Sequence, residues 1–248
     1  MVQSDSFRAG ATSEDFARVK VKNARHGLAN PNARYRKEVS VEDVLTSAVV
    51  SDPLHLLDIC ATSDGGAAVL VASTEYARRL GVERPVRIDA ISTVTPTFPN
   101  TVLDMPNIST DASTAVAAPE CTFKESIGHA AYEEAGVDPA DVSLAEVYDL
   151  STALELDWME DLGLCKRGEA EALLRAGDTT LGGRIPVNPS GGLACFGEAV
   201  PAQALAQVCE VTWQLRGQAT GRQVEGARVG ITANQGLFGH GSSVILSV

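Results

Sequence analysis

Three short segments carry residue types that can do chemistry. Glu146-Val147-Tyr148-Asp149 sets a phenol between carboxyls. Asn188-Pro189-Ser190-Gly191-Gly192 runs on through Cys195 to Glu198. Asn234-Gln235-Gly236-Leu237-Phe238-Gly239-His240-Gly241 holds an imidazole in a glycine-rich turn. Phenol, carboxylate and imidazole are proton-moving groups, so Tyr148, Glu198 and His240 are the candidate catalytic residues. Glycines let a ligand approach the backbone, and outward N–H groups hold an oxyanion. Gly191, Gly192 and Gly239 are therefore candidate ligand-binding positions. Each candidate also has a plain structural alternative: a core tyrosine, an acid that favours a helix N-terminus, a loop histidine. A phenol of ordinary pKa, about 10, is a poor base, so Tyr148 needs either a lowered pKa or a concerted proton transfer.

Other chemistries are excluded by pattern. The last turn reads G-x-x-G-x-G, not the dinucleotide fingerprint, and Asn188 stands where a serine-hydrolase elbow would need a different order. The cysteines (60, 121, 165, 195, 209) form no CxxC pair and the histidines (26, 55, 129, 240) no HExxH. No metal site and no disulfide framework is expected, and the thiols suit a reducing, cytoplasmic setting.

Among 248 residues, 44% are apolar and 21% charged, enough for real cores. No apolar run approaches the ~18 residues of a membrane span, and the first residues lack a signal-peptide plan. A net charge of −12 argues against nucleic acid as a partner. Residues 1–37 nonetheless hold eight Lys/Arg against three acids. Arg18, Lys22 and Arg25 fall on one helix face, which is either a solvated stripe or a contact for an anionic group.

The elements that must position these residues alternate. A helix over 12–29 starts at Thr12 or Ser13 and stops at Asn30-Pro31, with Ala17, Val21, Ala24 and Leu28 on its apolar face. Residues 54–73 read as strand, tight turn at 63–66, strand, both arms inside a covered sheet. A strand over 86–94 precedes a loop over 95–123 with four prolines, a candidate lid or pocket wall. There follow a helix over 124–135, a strand over 142–148, a helix from 152 with a Thr152/Glu155 capping box, and a short helix over 167–176. Then come the longest helix, 199–216, and strands over 228–234 and 242–247. The alternation predicts an α/β layered domain, with all three segments where strands end.

The run from Thr12 to Pro31, DPLHLLDICATSDGGAAVLVAS (52–73), AEVYDLSTALELDWMEDLGLC (145–165), NPSGG (188–192) and the terminal GLFGHGSSVIL resemble the thiolase superfamily. The branch they resemble most is that of the sterol-carrier-protein-x thiolases and the lipid-transfer-protein thiolase-like enzymes. The resemblance implies a thiolase-like α/β fold with one complete C-terminal half, a mixed sheet covered by helices, plus remnants of the loop domain and the N-terminal half. It divides the chain into 1–51 with the basic helix, 52–85, and 86–248. The family's acyl-accepting cysteine segment has no counterpart, which implies a fragment, a split gene, or a subunit completed by another chain.

The resemblance further implies a CoA thioester of a lipid or sterol-derived chain as substrate, with no covalently bound cofactor. Family members place Asn or His at Tyr148, His at Glu198, and a cysteine near 234–235. Tyr148 is instead similar to the aldolases of steroid side-chain breakdown, which work with a zinc-ribbon/OB-fold partner. One reading is an acyl-CoA enzyme that makes or breaks a C–C bond beside the thioester, here as a retro-aldolase. Tyr148 takes the β-hydroxyl proton, Glu198 returns a proton to the enolate, and His240 or the 236–241 amides hold the thioester oxygen. Arg18, Lys22 and Arg25 then meet the CoA phosphates. The alternative is an inactive acyl-CoA-binding or scaffolding subunit. Either reading implies a homo- or hetero-oligomer.

Overall fold

The structure is a computed structural model that describes residues 10–95, 122–236 and 240–248. Helix α1 (Ser13–Leu28) starts at Thr12, whose hydroxyl accepts the Asp15 N–H while the Asp15 carboxylate accepts that of Thr12. This reciprocal cap satisfies two donors that a helix N-terminus leaves open. Helix α2 (Val41–Leu45) repeats the device with Ser40 and Asp43. Strands β1 (Val49–Ser51) and β2 (Leu54–His55) form a small antiparallel pair before a 3-10 turn at Leu56–Asp58. Helix α3 (Thr74–Arg79) leads to β3 (Arg87–Val94).

The remaining elements are α4 (Phe123–Ala135), β4 (Leu144–Val147), α5 (Thr152–Asp161), α6 (Ala170–Ala176), α7 (Gly192–Phe196), α8 (Ala202–Arg216), β5 (Val229–Gly236) and β6 (His240–Ser247). The main sheet runs β3-β6-β5-β4. Its β4–β5 pair is parallel and the others antiparallel.

Both faces of the sheet are covered, and the period-two alternation of a strand divides the residues between them. Leu144 and Leu246 face α8, where Val208, Val211 and Leu215 meet them. Ala145, Val147, Ile231, Ala233 and Ile245 face the larger core with Phe16, Trp158 and Leu156. The same alternation sends Glu146 toward Glu210 of α8. The mixed sheet between helices is the α/β arrangement that the sequence predicts.

Several local expectations are corrected. Residues 54–73 are not two buried strands: beyond β2 the chain is irregular, and Leu70 and Val71 stand largely or fully exposed. An apolar run marks a surface that wants cover, and among the described residues no strand pairs with 67–73. The box expected from Thr152 and Glu155 does not form. Ser151 is the N-cap, Thr152 donates to Asp58, and Glu155 turns inward to Lys22. Tertiary partners of higher charge outcompete the local cap. The helix expected over 199–216 begins at Ala202, so Val200 precedes it and is exposed, and its inward apolar residues are Val208, Val211 and Leu215. On α1 Leu28 is exposed, and α1 rather than α8 is the longest described helix. The proline-rich loop lies almost wholly outside the described residues.

Candidate functional site

Tyr148 follows the last residue of β4, at the edge where strand C-terminal ends meet helix beginnings. Its backbone N–H still bonds Ala233 of β5 at 2.9 Å, so the sheet fixes its Cα. Fifty residues later, α7 ends at Gly197 and Glu198 follows. The two side chains meet: Tyr148 Oη donates to Glu198 Oε1 at 2.5 Å. Charge-assisted O–H···O⁻ bonds are that short.

What holds the second partner in place is a strap formed by residues 59–63. Cys60 N–H donates to Leu150 O and Ile59 bridges Ser151, which ties the strap to the chain just past Tyr148. Glu198 N–H donates to Ala61 O at 2.7 Å and Ser63 N–H to Glu198 O at 2.9 Å. The approach is close enough that a Cβ on Gly197 would lie 2.7 Å from Ala61 O. Gly197 also has φ +77°, where side-chain-bearing residues are strained. The strap carries Cys60 to the pair. Burial first, then the Asp149 and Glu198 carboxylates, push that thiol up to about 12.

Burial and the bond to Glu198 also raise the Tyr148 phenol above its ordinary range. The lowered-pKa option of the sequence reading is therefore set aside. The phenol stays protonated at neutral pH and donates to the carboxylate, the geometry of a concerted relay.

Asp149 and Glu146 anchor the glycine segment from the other side. The Asp149 carboxylate accepts the N–H groups of Leu193 at 2.7 Å and Ala194 at 3.2 Å. Glu146 accepts from Ser190 N and Oγ at 2.9 and 2.7 Å. Burial, chiefly, raises Glu146 well above the carboxylate range and moves Asp149 to about 7. Asn188, at φ 51°, accepts the Val147 N–H on its Oδ1.

The glycines play a different part from the one expected. Gly191 N–H goes to Asn188 O and Gly192 N–H to Ser190 Oγ. A Cβ on Gly191 would press on Gly27, and one on Gly192 on the Asp149 carboxylate. These glycines permit close packing, and their donors are taken by the protein itself. Gly239 lies outside the described residues.

Of the basic stripe, Lys22 is corrected outright. It is buried in an ion pair with Glu155 at 2.8 Å and also donates to Val187 O at 2.7 Å. An ammonium enclosed by a carboxylate and a carbonyl is not presented to a phosphate. Arg18 pairs with Glu14 on the surface and Arg25 is exposed. Helix α1 is thus more buried than its charge suggests, because Asn23, Lys20, Lys22 and His26 all find interior partners.

His240 opens β6 opposite Gly236, with its ring over that glycine. Val147 is level with Ala233 and His240 with Gly236, so His240 lies about two residues, ~7 Å, beyond Tyr148 along the strands and two strands across. It shares the sheet edge with the Tyr148–Glu198 pair without touching it.

Between the 63–68 turn and α8 lies a cavity of about 530 Å³, with Ser63, Gly65, Gly197, Phe196 and Arg34 in its wall. Among the described residues the free thiols of Cys60, Cys165, Cys195 and Cys209 are all held above their ordinary pKa, chiefly by burial. Lys20 and Lys22 act on Cys195 without offsetting its burial, so no described thiol is shifted toward the thiolate of an acyl acceptor. Among these residues there is also no group of three or more His, Cys, Asp or Glu arranged for a metal, and no helix long and apolar enough to cross a membrane.

The sequence did not reveal the strap or Cys60. The one available signal was Cys60-Ala61-Thr62-Ser63, polar and small residues inside an otherwise apolar run.

Residues 108–247 match the thiolase C-terminal domain-like family. A benzoylsuccinyl-CoA thiolase subunit, BbsB, from Thauera aromatica is 37% identical over 219 residues, 88% of this chain and 54% of the relative. Sterol carrier protein 2 from Oryctolagus cuniculus is 38% identical over 231 residues, 93% of this chain and 41% of the relative. Among solved structures, an Ltp2-ChsH2(DUF35) aldolase superposes with a TM-score of 0.76 at 30% identity, covering 98% of this chain and 62% of that one. The chain spans about half the length of the curated relatives it matches.

Proposed function

This chain belongs to the thiolase C-terminal domain-like family, and from that premise we propose that it works on a CoA thioester, cleaving a C–C bond by a retro-aldol reaction. The observation that carries the reading is the 2.5 Å bond from Tyr148 to Glu198 at the sheet edge. The substrate class follows from two names: a relative called a CoA thiolase subunit and a solved neighbour called an aldolase. A lipid or sterol-derived acyl chain fits the relative named for sterols.

The proton path balances. The β-hydroxyl of the substrate gives its proton to Tyr148 Oη as the phenol proton passes to Glu198. The alkoxide electrons form the new C=O, and the C–C bond pair moves onto the α-carbon as the thioester enolate. Glu198 then returns the proton through Tyr148 to that carbon. Both residues end as they began, so no thiolate is required. General acid–base transfer of this kind contributes about 10²–10⁴-fold. In this reading His240 and the neighbouring turn hold the thioester oxygen, as oxyanion donors do. Arg18 and Arg25 meet the CoA phosphates.

The domain division at 51 and 85 and an oligomeric working form belong to the same proposal. The exposed Val69, Leu70 and Val71 support the latter, because contiguous apolar surface favours a partner. A small zinc-ribbon/OB-fold protein is the partner class we propose; the solved neighbour's name joins two components.

The test is product analysis with and without free CoA. A β-hydroxyacyl-CoA incubated with the protein, alone and with the polypeptides that co-purify with it, should yield a carbonyl compound and a shortened acyl-CoA in equal amounts without added CoA. Cleavage of a β-ketoacyl-CoA only when free CoA is supplied would identify thiolysis and reject the retro-aldol reading.

A further inference from the structure

We propose that Asp149 is a positioning residue that holds the Tyr148–Glu198 pair in register, by tying the end of β4 to the first turn of α7. The inference deepens the proposed function and rests on it for the pair's role. It has its own support in geometry.

Asp149 is covalently next to Tyr148. Its carboxylate accepts two N–H groups from α7, at Leu193 and Ala194. Four residues after Ala194 the chain delivers Glu198. The short helix is thus a rigid spacer with one end fastened to Tyr148's neighbour and the other presenting Tyr148's hydrogen-bond partner. Gly192 makes the fastening tight, since any Cβ there would fall 2.4 Å from the Asp149 carboxylate. Asn23 of α1 donates to the same carboxylate at 3.1 Å and to Glu155 at 2.7 Å, which braces the tie from the opposite side.

An ionised carboxylate is the state this tie calls for. It accepts from three N–H donors at once, whereas a carboxylic acid or an amide turns a donor of its own toward one of them. Two backbone N–H groups and an amide surround the charge, but other charges oppose it. Burial first, then the facing Glu155 of α5, move Asp149 up to about 7. Glu146 of β4 feels Asp149 as well, as do Cys60 of the strap and Cys195 of α7. The cations of α1 are engaged elsewhere: Lys20 donates to Ala194 O and Lys22 pairs with Glu155. The tie therefore loosens on protonation within the range where the enzyme would work, and the strain reaches Tyr148 and Glu198.

Nuclear magnetic resonance on the full chain, with ¹⁵N backbone and ¹³Cζ-tyrosine labels, tests this between pH 5.5 and 8.5. The Leu193 and Ala194 amides and the Tyr148 Cζ signal should titrate together with one midpoint near 7 in the wild-type chain. In Asp149→Asn all three should be flat across that range. A Tyr148 signal that titrates alike in both proteins, or that stays flat while the two amides move, would reduce Asp149 to a helix cap and overturn the proposal. Amides that do not titrate would overturn it also. Should Asp149→Asn fail to fold, the wild-type comparison of the three probes decides by itself. Because this readout needs no turnover, a chain that shows the coupling yet cleaves no thioester would refute the proposed function and leave the positioning role standing.

Discussion

Tyr148 and Glu198, fifty residues apart, share a hydrogen bond at the sheet edge, and the strap at 59–63 keeps them there. The strap bonds the backbone beyond Tyr148 on one side and Glu198 on the other. The glycine at 197 is what lets the three segments come this close.

Gly197→Ala should therefore disturb the site more than its size suggests. The new methyl meets Ala61 O and Ser63, at a backbone conformation strained for alanine. Overpacking and strain of this kind cost about 1–3 kcal/mol each. Denaturant unfolding should show a loss of about 2 kcal/mol or more, and amide exchange at residues 61–63 should speed up.

Lys22 separates a structural from a binding role within the basic stripe. Lys22→Met leaves Glu155 charged and buried without its partner, which typically costs about 3–5 kcal/mol. Chemical denaturation should show that loss. Calorimetric titration of a CoA thioester should show an unchanged affinity per folded molecule, whereas Arg25→Ala should weaken binding and flatten its salt dependence.

His26 sets an acid limit on stability. Its Nδ1 donates to Asn188 O and its Nε2 accepts from Leu181 N–H, so the neutral ring satisfies both bonds. A second proton would face the Leu181 N–H directly. Burial, then Lys22, lower its pKa from 6.5 to about 3. On acidification the unfolded chain takes the proton first, so stability is full above about 6.5 and declines as the pH falls toward 3. Asp149 acts oppositely, since the folded chain binds its proton first between about 7 and 3.8. The difference between wild type and His26→Asn in urea midpoint against pH isolates the histidine: it should shrink steadily below pH 6.5.

Much of the fold was legible because local rules and tertiary packing agree. Helix α4 closes at Gly136 in the left-handed conformation, β3, β5 and β6 fall where alternation put them, and Thr12 caps α1. Legibility failed where long-range partners override local ones. Glu155 reads as a capping acid but answers Lys22, and Lys22 reads as a surface cation but answers Glu155. Neither residue alone reveals the other, because 133 positions separate them in sequence. Residues 67–73 read as a buried strand because they are apolar, yet composition cannot say what covers them. Of the candidate site, Tyr148 and Glu198 were named from sequence, while the parts played by Asp149 and Cys60 emerged only when the α7 turn and the strap were seen to converge on them.

The most direct test of the central claim is a double-mutant cycle on turnover. Initial rates of β-hydroxyacyl-CoA cleavage are measured for the complete enzyme with Tyr148→Phe, Glu198→Gln and the pair together. If the two residues form one relay, each single change lowers kcat by about 10²–10⁴-fold and the double variant is scarcely worse than either. Full turnover in Tyr148→Phe, or losses that simply multiply in the double variant, would contradict it.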